Sequence, residues 1–256
     1  MTKERSRWIA LVFISAAISL VIIDGTIVNT IFPSIINALS LDSTEVQWVQ
    51  ESYVLVFAAL LLVWGSIADR FGRKRLLLIG IAIFVAASVW AGLSEDASSM
   101  ILARVLQGFG GSMVLPTTLS LVNATFQGKE RGIAFAVWGA TIGGMVAVGP
   151  VLGGWLATDF SWRWAFLINL PLGVIIIAGL MYFLGESKAE QRKGGIDWVG
   201  AIISVVMFST LVFGLIEGRV YGWWEQTKNQ FELFGFVWPA DTISVIPVSL
   251  ALSLIA

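Results

Sequence analysis

"WGSIADRFGRKRLLLIG", residues 64–80, places five charged side chains, Asp69, Arg70, Arg73, Lys74 and Arg75, within seven positions between two oily runs, with glycines nearby at Gly65 and Gly72. So abrupt a change from apolar to charged and back is the pattern of a short polar turn between two lipid-embedded segments. The composition agrees: of 256 residues, 57% are hydrophobic and 13% charged, where a water-soluble domain carries about a quarter charged. The chain reads as a membrane protein. Its net charge is −1 and its cations are not pooled into one region, so nucleic acid is not an expected partner. With no cysteine and no histidine, disulfides, thiol chemistry and imidazole metal sites are excluded, and proton handling falls to carboxylates.

Working outward from the turn, apolar stretches run over 8–30, 46–68, 76–93, 99–124, 133–156, 164–184 and 198–216. Each has roughly the twenty residues that a helix rising ~1.5 Å per residue needs to cross a ~30 Å hydrocarbon layer. Helices are favoured over barrel strands because the runs are continuous rather than alternating. An eighth run, Ile243 to Ala256, would reach only ~21 Å at the same rise, so the chain is expected to stop inside a helix. The first run carries Asp24 and lacks a cleavage site, which sets it apart from a signal peptide.

Lysine and arginine fix an expected orientation. Twelve of the 16 fall on one side: Lys3, Arg5 and Arg7; Arg70, Arg73, Lys74 and Arg75; Lys129 and Arg131; Lys188, Arg192 and Lys193. The opposite side holds Arg163, Arg219 and Lys228, and its first two loops are acidic, at Asp42 to Glu45 and at Glu95 and Asp96. The positive-inside rule then puts the N-terminus in the cytoplasm of a multi-pass protein of the cell membrane. Tryptophans 8, 48, 64, 90, 155, 162 and 198 fall near span ends, as interfacial rings should.

Topology alone would explain the cations at 70–75, but not Asp69 one helical turn from Gly65, nor a glycine at 72, where a tight turn wants positive φ. A carboxylate among four cations at a helix end suggests a latch. The stretch resembles the signature of the major facilitator superfamily between its second and third helices, G-x-L-a-D-r-x-G-r-k-r. Gly65, Asp69, Arg70, Gly72, Arg73, Lys74 and Arg75 match it, and Ile67 replaces the leucine. The resemblance implies a cytoplasmic gate that breaks and reforms as two halves of a transporter rock.

In the fourth span, "RVLQGFGGS" sets Arg104, Gln107, Gly108 and Gly111 on one helical face. An arginine within a membrane either snorkels to the interface or faces a partner or a water-filled cavity. The spacing resembles the family's R-x-x-q-G-x-g signature, which implies proton transfer. In the fifth span, Gly139, Gly143, Ala147, Pro150 and Gly154 follow one face, and Gly149 and Gly153 form a second small-xxx-small pair. Close packing alone accounts for these. Gly149, Pro150, Gly153 and Gly154 also resemble the family's antiporter signature g-x-x-x-G-P-x-x-G-G, with Met145 where its first glycine would be; this implies export.

"IIDGTIVNTIFPSI" in the first span resembles the l-D-x-T-v-v-N-v-A-l-P signature of the fourteen-helix drug:proton antiporter branch, through Asp24, Thr26, Val28, Asn29 and Pro33. Ile31 and Phe32 replace its alanine and leucine. "SWRWAFLINLPLG" resembles that branch's sixth helix. Ser15, Ser19, Thr26, Asn29 and Thr30 form a polar stripe, but Asp24 lies ~160° from Thr26 at ~100° per residue, so Asp24 and the stripe are not expected to share a surface. By helical rise, Asp24 lies ~14 Å below Pro33, Glu51 ~5 Å below Trp48 and Arg104 ~9 Å below Ser98. All three are expected in the outer half. Scattered charges are costly in a bilayer, so the three are expected in one water-accessible site, with Glu51 equally readable as an interfacial residue.

The fold expected is an all-α membrane protein: a six-helix bundle over 1–187, a cytoplasmic linker at 188–196, and one full and one truncated extra helix over 197–256, with an outer loop at 218–242. The resemblance implies the N-terminal half of an exporter of amphipathic, cationic compounds. It would need protons, the bilayer and a C-terminal six-helix half, with a proton gradient rather than a cofactor as energy source. Asp24, Glu51, Arg104, Gln107, Thr26 and Asn29 would couple proton to substrate. The competing reading is a truncated membrane protein without transport activity, acting as an interaction partner or sensor. No nucleophile–base pair, metal cluster or phosphate loop suggests an enzyme.

Overall fold

A computed structural model describes residues 3–187, 198–227, 231–233, 236–239 and 242–255. The expected linker at 188–196, with Lys188, Arg192 and Lys193, lies outside the described residues, as does Lys228. The described chain is nearly all helix: α1 (Lys3–Leu39), α2 (Ser43–Phe71), α3 (Arg73–Leu93), α4 (Ala97–Thr125), α5 (Gly128–Asp159), α6 (Trp164–Leu167), α7 (Asn169–Phe183), α8 (Trp198–Tyr221) and α9 (Val245–Ile255). Among the described residues seven helical spans are long and apolar enough to cross a membrane, α6 and α7 together making the sixth. The chain is a multi-pass membrane protein. Between α8 and α9 a small antiparallel pair joins β1 (Glu232–Leu233) to β2 (Phe236–Val237).

Local chemistry sets the helix starts. Asp42, read above only as part of an acidic loop, caps α2: its Oδ1 accepts from the Thr44 and Glu45 backbone N–H groups at 2.8 Å, and Glu45 returns a bond to the Asp42 N–H at 3.0 Å. This reciprocal box satisfies donors that a helix N-terminus leaves open. Asp96 caps α4 through Ser99 N–H at 2.8 Å. Several helices overrun their apolar stretches. α1 continues through Pro33 to Leu39 and α8 reaches Tyr221. Asp24 is therefore 15 residues from the end of α1, about 22 Å at the standard rise, which places it nearer mid-helix than the outer-half estimate counted from Pro33.

α4 packs against α1, α2 and α3, while α1 is also flanked by α5 and α7; α8 lies on α2, and α9 on α8. The apolar interior falls into two main clusters. One gathers Ile14, Ile18, Val21, Leu77, Phe84, Leu121 and Leu180; the other gathers Ile27, Ile31, Val49, Ala91, Met100, Ala103 and Phe166. Along each of α1, α3 and α4 the boundary between them is a polar residue.

Candidate functional site

That boundary is a layer of buried polar side chains. Asp24 lies between Val21 and Ile27 on α1, Ser88 between Phe84 and Ala91 on α3, and Arg104 and Gln107 follow Ala103 on α4. Arg104 Nη1 donates to Asp24 Oδ2 at 2.6 Å and to Gln107 Oε1 at 2.9 Å, and Arg104 Nε donates to the Val49 carbonyl at 3.2 Å. The guanidinium sits 4.2 Å from the centre of the Tyr53 ring. The other carboxylate oxygen, Asp24 Oδ1, accepts from Gln107 Nε2 at 2.9 Å and from Asn169 Nδ2 at 3.1 Å, and both amides also donate to Ser88 Oγ, at 2.8 and 3.1 Å.

Asp24 is 0% exposed and Arg104 1%. A charge taken out of water is tolerable only when paired and hydrogen-bonded, and here both conditions are met: each carboxylate oxygen has donors and the guanidinium has an anion, two acceptors and an aromatic face. The structure thus joins Asp24, Arg104 and Gln107, but not in a water-accessible site, because the layer is closed on both sides by apolar packing. Ser88, Asn169 and Tyr53 were not singled out in the sequence. Ser88 and Tyr53 signal only as polar atoms in apolar runs, which many unrelated residues share, whereas Asn169 lies within the stretch SWRWAFLINLPLG.

Glu51 is not part of this layer. Val49 and Tyr53 of α2 turn to Arg104, and Glu51, about 160° round the helix from both, meets Glu217 of α8 instead. The expected stripe on α1 also divides. Ser15 and Ser19 are buried, and Asn29 is exposed. Thr26 gives its hydroxyl to its own helix, at Ile22 and Ile23 carbonyls, while packing under Gly149.

The α5 glycines separate in the same way. A Cβ at Gly149 would run into Thr26, and one at Gly153 would lie 2.9 Å from Ile27 Cγ1 and 3.0 Å from the Ile27 carbonyl; Gly154 faces Thr30 at 3.9 Å. Around Gly139, Gly143 and Gly144 there is nothing within 4 Å. Gly149 and Gly153 therefore hold α1 against α5 near Pro150, with Gly154 in looser contact, and Gly139, Gly143 and Gly144 face away.

In the opening turn, Arg73 Nε and Nη2 both donate to Asp69 Oδ1, at 2.9 and 2.7 Å. Gly72 has φ +118°, open to glycine and rarely to other residues. The turn is docked by a residue the sequence did not flag. Glu186, just beyond α7, accepts from Lys74 N–H at 3.1 Å and pairs with Arg75 at 3.6 Å, and Lys74 Nζ donates to the Met181 and Leu184 carbonyls. A carboxylate at the start of α3 and an ammonium at the end of α7 each suit the helix dipole they face. A Cβ at Gly65 would meet Pro116 of α4 at an ordinary 3.8 Å, and Arg70 is exposed.

A family model described as Major Facilitator Superfamily matches residues 14–240. The chain belongs to the major facilitator superfamily. Among curated relatives of this major-facilitator chain, the puromycin resistance protein of Streptomyces alboniger is 38% identical over 85% of the chain and 43% of its own length. The tetracenomycin C resistance and export protein of Streptomyces glaucescens is 32% identical over 84% and 40%, and the methylenomycin A resistance protein of Bacillus subtilis 33% over 78% and 43%. The chain thus spans about two-fifths of the length of these relatives. Solved structures share the fold: a bacterial homologue of the human lysosomal transporter Spinster (TM-score 0.59, 18% identity, 85% of this chain and 56% of that one) and PepTSo2 (TM-score 0.62, 15% identity, 84% and 51%).

If Asp69 serves as a latch rather than as part of a topology signal, Asp69→Asn should leave orientation intact, because the cations that direct insertion remain. The chain has no native cysteine, so single cysteines placed near the N-terminus and in the 70–75 turn report sidedness without background. Unchanged labelling with impaired export by the full-length protein is the expected result; inverted labelling would return the turn to a topology role.

Proposed function

We propose that these residues form the N-terminal half of a proton-coupled exporter of antibiotics or related amphipathic, cationic compounds, with its N-terminus in the cytoplasm. In this reading 1–187 is the first six-helix bundle, 188–196 a cytoplasmic linker, and 197–256 the start of the extra helix pair found in fourteen-helix antiporters. The observation that carries it is the Asp24–Arg104–Gln107 layer, an ion pair with amide partners at mid-helix. Such a pair is expensive to maintain and is usually functional in a membrane.

The geometry suggests how it would work. Asp24 is held by donors from α4 and α7, so protonating its carboxylate weakens bonds to two helices at once and releases Arg104 to other partners. A cationic substrate and a proton compete for the same negative charge, which is the basis of exchange. Resistance in the names of the three relatives, to puromycin, tetracenomycin C and methylenomycin A, and export in the name of the second, support efflux as the direction, as does the resemblance of Gly149, Pro150, Gly153 and Gly154 to the antiporter signature. Asp69 and Arg73 would form the cytoplasmic gate.

Alternating access needs two repeats rocking about a central site. The 256 residues reconstituted alone in liposomes under a pH gradient are therefore expected to show no antibiotic-dependent proton flux, while the full-length protein should, with a lumenal pH dye as readout. Flux from the 256 residues alone would show that one bundle suffices. No flux from the full-length protein with any of the three antibiotics would count against the proton-coupled reading.

A further inference from the structure

Glu51 and Glu217 face each other between the packed helices α2 and α8, their carboxyl groups within reach of one another. Glu217 is 2% exposed. The Gln47 side chain, one turn back on α2, lies beside Glu51, and Tyr221, one turn on along α8, lies close to both carboxyls. Oε2 of Glu51 and Oε1 of Glu217 are nevertheless buried without a hydrogen-bond donor. Among the described residues neither glutamate is in a salt bridge, and Arg219 is on the exposed side of α8. α9, packed on α8, has no ionisable side chain, and the hydroxyls of its Ser249 and Ser253 are given to the Ile246 and Leu250 carbonyls.

The contrast with Asp24 is chemical. Asp24 is surrounded by donors, Arg104, Gln107 and Asn169, that suit an ionised carboxylate. Glu51 and Glu217 present acceptor to acceptor, and an ionised carboxylate only accepts. Two of them, each with a buried oxygen and facing each other, can be joined by a hydrogen bond only when one carries a hydrogen. We propose that Glu51 and Glu217 form a proton-binding site, holding one proton between two carboxyl groups, and that this proton latches α8 onto α2. On loss of the proton the bond is replaced by repulsion between like charges, and α8 is pushed from the bundle. The site is separate from the Asp24 layer and does not depend on the transport reading; the inference would survive a chain that exports nothing.

The test uses the 256-residue chain in lipid bilayers, with infrared spectra taken at neutral pH in H2O and D2O. The wild type is expected to show the C=O stretch of a protonated carboxylic acid, shifted in D2O, and to lose it in Glu51→Gln and in Glu217→Gln, since a glutamine amide supplies the donor without a proton. Absence of the band from the wild type overturns the proposal before any variant is made, and a band that survives either single substitution overturns the sharing. Nitroxides on cysteines at the exposed positions Val54 and Leu215 read the latch: their separation should lengthen as the wild-type pair is titrated to full ionisation and stay fixed in Glu217→Gln. A separation independent of pH in the wild type, or equally dependent in both, overturns the latch.

Discussion

Asp24→Asn in the full-length protein is expected to lower stability by about 3–5 kcal/mol and, under the proposed function, to abolish export, because one partner of a buried pair is removed and the other is left uncompensated. The neutral amide is also badly placed. If its oxygen takes the Oδ1 position opposite Gln107 and Asn169, its NH2 group faces Arg104 Nη1, donor against donor. Arg104→Gln should be destabilising to a similar degree, leaving Asp24 with amide partners and no cation. The double variant removes both charges, so it should be more stable than either single one even with export dead. Thermal unfolding in detergent, together with export from the full-length protein, measures all three. Losses that simply add would mean that the two residues act independently, against the 2.6 Å contact.

A second large effect is expected from a single methyl group. In Gly110→Ala the new Cβ would lie 2.6 Å from the Phe84 nitrogen, 2.8 Å from the Gly80 carbonyl oxygen and 3.0 Å from Phe84 Cα. These are backbone atoms, which cannot rotate aside, so α3 and α4 would have to move apart. That movement separates Ser88, one turn beyond Phe84, from Gln107, and so opens the polar layer as well as the core. Overpacking costs about 1–3 kcal/mol and sometimes more; with rigid backbone on the far side, the upper end or loss of folded protein is expected. Gly139→Ala is the comparison. It meets nothing within 4 Å and gains about 0.8–1 kcal/mol of helix propensity, so its thermal unfolding should match or exceed the wild type. Should Gly110→Ala unfold like Gly139→Ala, the close α3–α4 crossing is not what holds the two helices.

Hydropathy made the spans legible, because a lipid-exposed backbone has few ways to satisfy its hydrogen bonds and length alone then counts crossings. The turn at 70–75 was legible for a similarly local reason: a positive φ at Gly72 and an i,i+4 carboxylate–guanidinium pair depend on neighbours in sequence. Depth was less so. Counting from Pro33 assumed that α1 ends where its apolar run weakens, whereas the helix continues through the proline to Leu39.

By itself, then, the sequence determined the class of fold, the number of apolar spans, the signature turn and the fact that Asp24 and Arg104, if buried, would each need a partner. Tertiary structure alone decided who the partners are. It set Asn169 and Ser88 beside Asp24, turned Glu51 away to Glu217, divided the α5 glycines between α1 and open space, and brought Glu186 to the start of α3. The helical period says which residues share a face of one helix. It does not say how that helix is rotated against its neighbours, and in a membrane the usual guide is weak, because lipid tails and protein interior are both apolar and favour the same side chains on every face.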